Sequence, residues 1–311
     1  MEKLCETSLL KFNSDTLVSV RKEFNLDKPG IIEQSLDLLD QWLAMQHHIV
    51  KKDFPKELKE RTLINCKGSV QRVKEKIDKA CTLKTLLPQY FDTFDANADY
   101  EPYRGGLIDA ILPSLTPNNE RIFFLKYAGI KTNSMMGYNK RFIKMLDYIR
   151  RHDYMLGLHV IIDCLGANVV EFAAKLNPIE VQQVVTILVD AYALRLKSVI
   201  FITSSRLVDV LVTIIKQAMS AKLRQRVCVM QNYEELYKHY PMEIMPREYG
   251  GTEKTLDELN DDLNKALTSE EFVSYLKEMS QAVTNEELRS KISYNEQVMG
   301  MPGSFRKLAV D

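Results

Sequence analysis

The side chains able to do chemistry are few and scattered along the 311 residues. His47-His48 sits in the N-terminal helical stretch with no Glu or Cys at ligand spacing, so a structural or exposed role is favoured over metal ligation. His152-Asp153 follows Arg150-Arg151 and reads as a solvated turn, and His239-Tyr240 precedes Pro241, where a helix should end. Asp163 closes the apolar run "LHVIIDC". A carboxylate at the C-terminal end of a parallel strand is a common catalytic position, yet without a partner it is better read as a cap. Gly105-Gly106 is an isolated pair, and neither a dinucleotide or phosphate loop nor a G-x-S-x-G elbow is present. The sequence therefore predicts no reaction, no cofactor and no metal, with an enzyme built on Asp163 or the histidines as a rival reading.

These residues must be carried by elements that periodicity outlines. Hydrophobic residues make up 45% of the chain and charged residues 27%, and 42 basic side chains balance 42 acidic ones, so any basic site is a local patch and nucleic acid is not an expected partner. Five spread cysteines without a C-x-x-C pair fit reduced cytosolic thiols, and the N-terminus does not read as a secretory signal. Ile32, Leu36, Leu39, Trp42 and Leu43 after Pro29 form one helical face, and Val70, Val73, Ile77 and Ala80 a second, over 69–87. From about 118, short runs ("RIFFLKY", "LHVIIDC", "SVIFIT", "RVCVM") alternate with helical segments near 135–150, 178–193 and 206–221, which predicts an α/β fold with a mostly parallel sheet. The expected organisation is an N-terminal helical bundle (1–90), an α/β domain (91–250) and a C-terminal helical extension (251–311).

One helix, "RLVDVLVTIIKQAMSAKLRQR" (206–226), has a broad apolar face and a cationic end. Burial between the sheet and the N-terminal bundle would explain the apolar face alone. The cluster of Lys222, Arg224 and Arg226 adds a second possibility, since anionic lipid contributes about 1 kcal/mol per nearby cation and a bilayer interface accepts exposed Leu, Ile and Val.

Several segments taken together resemble the CRAL-TRIO (Sec14-like) lipid-binding family, in its tocopherol- and retinaldehyde-binding branch. "LKTLLPQYF" (83–91) resembles the end of the family's N-terminal domain, "GLHVIIDCLG" (157–166) its G-x-x-x-x-x-D-x-x-G strand and turn, "LVDAYALRLKSVIFIT" (188–203) its D-A-Y-P segment, "IMPREYGG" (244–251) its closing motif, and "GSFRKLAVD" (303–311) its tail. The resemblance implies an apolar cavity between the sheet and a mobile gate helix, here 206–220. It implies pocket-lining roles for Leu158 and Ile162, for Val199 and Phe201, for Val184, Ile187, Leu188, Tyr192 and Leu194, and for Val208, Leu211, Ile214 and Met219. It further implies phosphoinositide contacts by Arg195, Lys197, Lys222 and Arg226. Departures from the pattern are Ala193 for the proline of D-A-Y-P, Thr203-Ser204-Ser205 after the strand, Leu165 in the turn, and "TLINCKGS" (62–69) for the basic aromatic motif.

The expectation is a cytoplasmic, peripherally membrane-associated carrier of one hydrophobic molecule of tocopherol, retinoid, carotenoid or phospholipid type, with Tyr192, Thr203 and Ser204 as candidates to fix its polar end. The alternative is an adaptor whose apolar groove holds a partner helix.

Overall fold

The computed structural model describes residue 4 and residues 6–289; Cys5, the tail motif at 303–311 and the end of the C-terminal extension lie outside the described residues. Four helices come first: α1 (Thr16–Lys22), α2 (Ile31–Met45), α3 (Lys56–Asn65) and α4 (Val70–Leu86). Gly30, in the left-handed region at φ 78°, precedes α2, so the helix begins two residues beyond Pro29, and Ile32, Leu36, Leu39 and Leu43 are buried on one stripe. Ser69 caps α4 by accepting the Arg72 N–H, and the helix stops before Pro88.

The short α5 (Ala96–Tyr100) leads into β1 (Leu107–Ile111), then β2 (Glu120–Tyr127), α6 (Met136–His152) and β3 (Gly157–Asp163). The chain continues through α7 (Val169–Lys175), α8 (Pro178–Thr186) and a π-helical turn at Ile187–Ala191 into β4 (Leu196–Ile202). It ends with α9 (Val208–Gln217), α10 (Ala221–Arg224), β5 (Val227–Met230), α11 (Leu256–Leu267) and α12 (Glu270–Met279). The five strands lie in the order β1-β2-β3-β4-β5, with β1 antiparallel to β2 and the other pairings parallel. The molecule is thus the expected α/β fold, with β1 and α7 as additions. The run "LIDAI" hides β1 because Asp109 interrupts its apolar pattern; that carboxylate is fully buried and accepts two bonds from Arg141, at 2.7 and 2.8 Å.

Alternation sends side chains to two layers. Phe123, Leu125, Val160, Ile162, Val199 and Phe201 face the larger core shared with the N-terminal helices. Ile122, Phe124, Ile161, Ile200 and Ile202 face the other, closed by α11 and by Met245 and Tyr249. A bulge between Leu158 and His159 shifts the β3–β4 register. The chain beyond Met279 returns over the first helices: the Val50 N–H donates to Val283 O, Lys84 Nζ to Met279 O, and Arg289 pairs with Asp78.

Two turns differ from the reading of the sequence. Asp153 is not solvated; it is buried against the equally buried guanidinium of Arg121, at 2.7 and 3.0 Å, a partner 32 residues away. Ala193 adopts φ 58°, the left-handed region that costs a residue with a Cβ about 1–2 kcal/mol. Ala193→Gly is therefore expected to raise the urea midpoint by the equivalent of about 1 kcal/mol. Ala193→Pro, which would complete the D-A-Y-P pattern but fixes φ near −65°, should lower stability by about 3 kcal/mol or more.

Candidate functional site

Phe123 and Leu125 from β2, Val160 and Ile162 from β3, and Leu196, Val199 and Phe201 from β4 form the floor of a cavity of about 150 Å³. Tyr138, Asn139 and Phe142 of α6 make one wall, and Phe172 of α7 another. Val181, Val184 and Val185 of α8, Leu188 of the π turn, and Leu211 and Ile215 of α9, with Met219, close the roof. Asn139 is the one amide in the lining, and it donates to Glu180 Oε2 at 2.9 Å. The site can therefore hold an apolar guest through dispersion and desolvation, with almost no polar recognition.

Seven of the thirteen expected lining residues meet here: Ile162, Val184, Leu188, Val199, Phe201, Leu211 and Met219. Leu158, Ile187, Leu194 and Val208 are buried in the surrounding core instead, and Ile214 is partly buried against it. Tyr192 lies in a separate polar cluster, donating to Asp147 Oδ2 at 2.9 Å beneath the Arg150 guanidinium, 3.9 Å from its ring. Neither it nor Thr203, which accepts the Ser205 N–H at 3.2 Å, nor the exposed Ser204 lines the cavity. Leu196 was missed for a geometric reason. The bulge beside it lets Leu196 and Val199, three residues apart, share a face that strict alternation would assign to only one of them. Phe123 and Leu125 were findable from the alternation within "RIFFLKY".

The roof is the least buried part of this layer. None of the α8 residues is fully buried, and only Val208, Leu211 and Val212 are within α9. Ile179, Leu207 and Val210 are 53%, 59% and 48% exposed, leaving apolar surface in water on both roof helices.

The four expected membrane cations are dispersed. Lys222 is exposed on α10. Lys197 is ion-paired with Glu120, whose other oxygen meets His159 Nε2 at 2.8 Å, and these partners hold the Glu120 carboxyl down at about 2 against the opposing effect of burial. Arg226 donates to the Leu196 carbonyl. Arg195 is half-buried, with its guanidinium 5.0 Å from the Phe24 ring, and that burial lowers its pKa. Lys197 and Arg226 share a groove of about 760 Å³ with His159, Lys238 and His239, beside the N-terminal ends of the parallel strands.

The remaining candidates have structural partners. Asp163 Oδ1 accepts the Leu165 N–H at 2.8 Å and Oδ2 the Tyr249 hydroxyl at 2.5 Å, so it caps its turn and ties it to the "EYGG" segment. His48 Nε2 meets Asp78 at 2.7 Å, and His47 is exposed. A Cβ on Gly106 would lie 1.8 Å from Gly129 O, so the Gly105-Gly106 pair serves close backbone packing. No helix among the described residues is long and apolar enough to cross a membrane.

Residues 110–251 match the CRAL/TRIO domain. A segment of 118 residues is 27% identical to alpha-tocopherol transfer protein-like of Mus musculus, covering 38% of this chain and 34% of that protein, so the match spans about a third of the relative's length. The crystal structure of Sfh5 aligns over 86% of this chain and 98% of that one, at 14% identity and a TM-score of 0.45.

Proposed function

The chain carries a CRAL/TRIO domain over residues 110–251, and from that premise we propose that it is a carrier that encloses one lipophilic molecule beneath α8 and α9 and exchanges it at membranes. The observation that carries this reading is the apolar space between the sheet and a roof whose helices are themselves poorly buried. A space of about 150 Å³ admits a guest the size of benzene, whereas ligand pockets usually run to about 300–1,000 Å³. A tocopherol, retinoid, carotenoid or phospholipid thus requires the roof to move outward. In water, exposing buried Leu and Val side chains costs about 1.5–3 kcal/mol each, and at a bilayer interface most of that cost disappears. The roof therefore opens at the membrane and rests closed elsewhere, consistent with a cytoplasmic, peripherally associated protein.

Organic extraction of purified protein followed by mass spectrometry tests the reading. One lipophile per chain is expected; a chain that takes up none after incubation with lipid vesicles of mixed composition refutes it. The contribution of the exposed cation is separable. Lys222→Glu replaces attraction by repulsion at about 1 kcal/mol each and should slow delivery to anionic vesicles by roughly fivefold to thirtyfold, without changing ligand affinity. Fluorescence transfer assays at two salt concentrations check this, because the difference should shrink as salt screens it.

A further inference from the structure

A second pocket, of about 630 Å³, opens between α3, the C-terminal end of α6 and α12, and shares no lining residue with the apolar cavity. On its floor is Arg61, 7% exposed. Its Nε donates to the Arg150 carbonyl at 2.8 Å and its guanidinium lies 5.1 Å from the Tyr154 ring centre, but no carboxylate among the described residues is within ion-pairing distance. The other buried arginines, Arg121, Arg141 and Arg150, each have an aspartate. Two other polar groups in the lining lack hydrogen-bond partners among the described residues. The Tyr275 hydroxyl is buried with no hydrogen bond, and the His152 ring, stacked obliquely on Tyr148, makes none among the described residues. Burial, followed by the charges of Arg151 and Arg61, pushes the His152 pKa down to about 4. Buried polar groups normally have partners, and a buried hydroxyl without one beside a buried guanidinium that lacks a counter-charge marks a place where a ligand supplies the missing acceptor.

We propose that this pocket is a separate binding site for a small monocarboxylate with an apolar body, its carboxylate seated on Arg61 and Tyr275. Leu58, Phe12 and the Tyr154 ring provide the apolar walls. The mouth selects the charge: Glu57, Glu271 and Glu278 are exposed there, Glu271 already held by Arg151 at 2.7 Å and Glu278 by Lys51 at 2.8 Å. Those three carboxylates repel a dianion such as phosphate more than a monoanion.

Benzoate is the probe, added to the full chain and followed by the imidazole resonances in ¹H–¹³C NMR, with the His152 signal assigned from His152→Gln. A saturable shift of His152 is expected, with inorganic phosphate binding much more weakly. Arg61→Gln should weaken benzoate by about tenfold or more, and Tyr275→Phe by about three- to tenfold while leaving the fold intact. Three results overturn the assignment: no saturable shift at His152, a shift confined to His159 in the basic groove, or unchanged affinity in Tyr275→Phe. The readout is independent of any lipophile in the apolar cavity, so the carrier reading and this one fail separately.

Discussion

Val199→Trp is expected to abolish co-purification of a lipophile while leaving a folded protein. Val199 stands in the cavity floor between Val160 or Ile162 on β3 and the roof residues Leu211 and Met219, so an indole there occupies the volume a guest needs. Overpacking of this kind costs about 1–3 kcal/mol, within what a domain of ordinary stability tolerates. The adjacent residue is the internal control. Ile200 points to the opposite layer, against the α11 side, and Ile200→Val should cost about 0.5–1.5 kcal/mol through the lost methylene yet keep the full ligand load. Extraction and mass spectrometry of the two variants, with circular dichroism to confirm folding, decide the matter. Equal loads in both would mean that the guest, if any, sits elsewhere.

A second large effect concerns stability. Arg141 and Asp109 are both completely buried and joined by two charge-assisted bonds. The Arg141 guanidinium also donates to Asn264 Oδ1 at 2.8 Å and lies 4.0 Å from the Tyr100 ring centre, while Asn260 donates to Asp109 at 2.7 Å. Arg141→Met leaves the aspartate buried without its counter-charge and should destabilise by about 3–5 kcal/mol in equilibrium denaturation. Replacing both partners by apolar residues is often neutral at such pairs. Here the double variant should recover only part of the loss, because Asn260 and Asn264 would remain to be satisfied. A change below about 1 kcal/mol in the single variant would show that water or rearrangement compensates the aspartate.

Elements with a strong period were legible in the sequence: α2 and α4 from apolar stripes, β2 to β5 from their Val, Ile and Phe runs, α9 from its wide greasy face. What escaped was set by distant partners. β1 hides behind Asp109, and that carboxylate is comprehensible only beside Arg141, 32 residues further on. Asp153 was read as solvated because nothing near it announces Arg121. In the cavity, parity on β3 and β4 picked out Ile162, Val199 and Phe201, but the register shift at Leu158/His159 has no local signature and concealed Leu196. The basic residues looked like one patch because charge is visible in sequence and pairing is not; Lys197 proves to be tied to Glu120.

The returning segment after Met279 bears on how the protein is made. Its bonds to His48, Val50, Thr85 and Asp78 join residues 199 to 237 positions apart, with the longest from Asn285 to His48 and the Thr85–Thr284 pair among them. During synthesis α3 and α4 leave the ribosome long before the segment that covers them has been translated, so their inner faces stay unsatisfied through most of elongation. Ribosome-bound nascent chains halted before residue 279 should therefore recruit holdase chaperones at these helices and release them once the final turn has emerged.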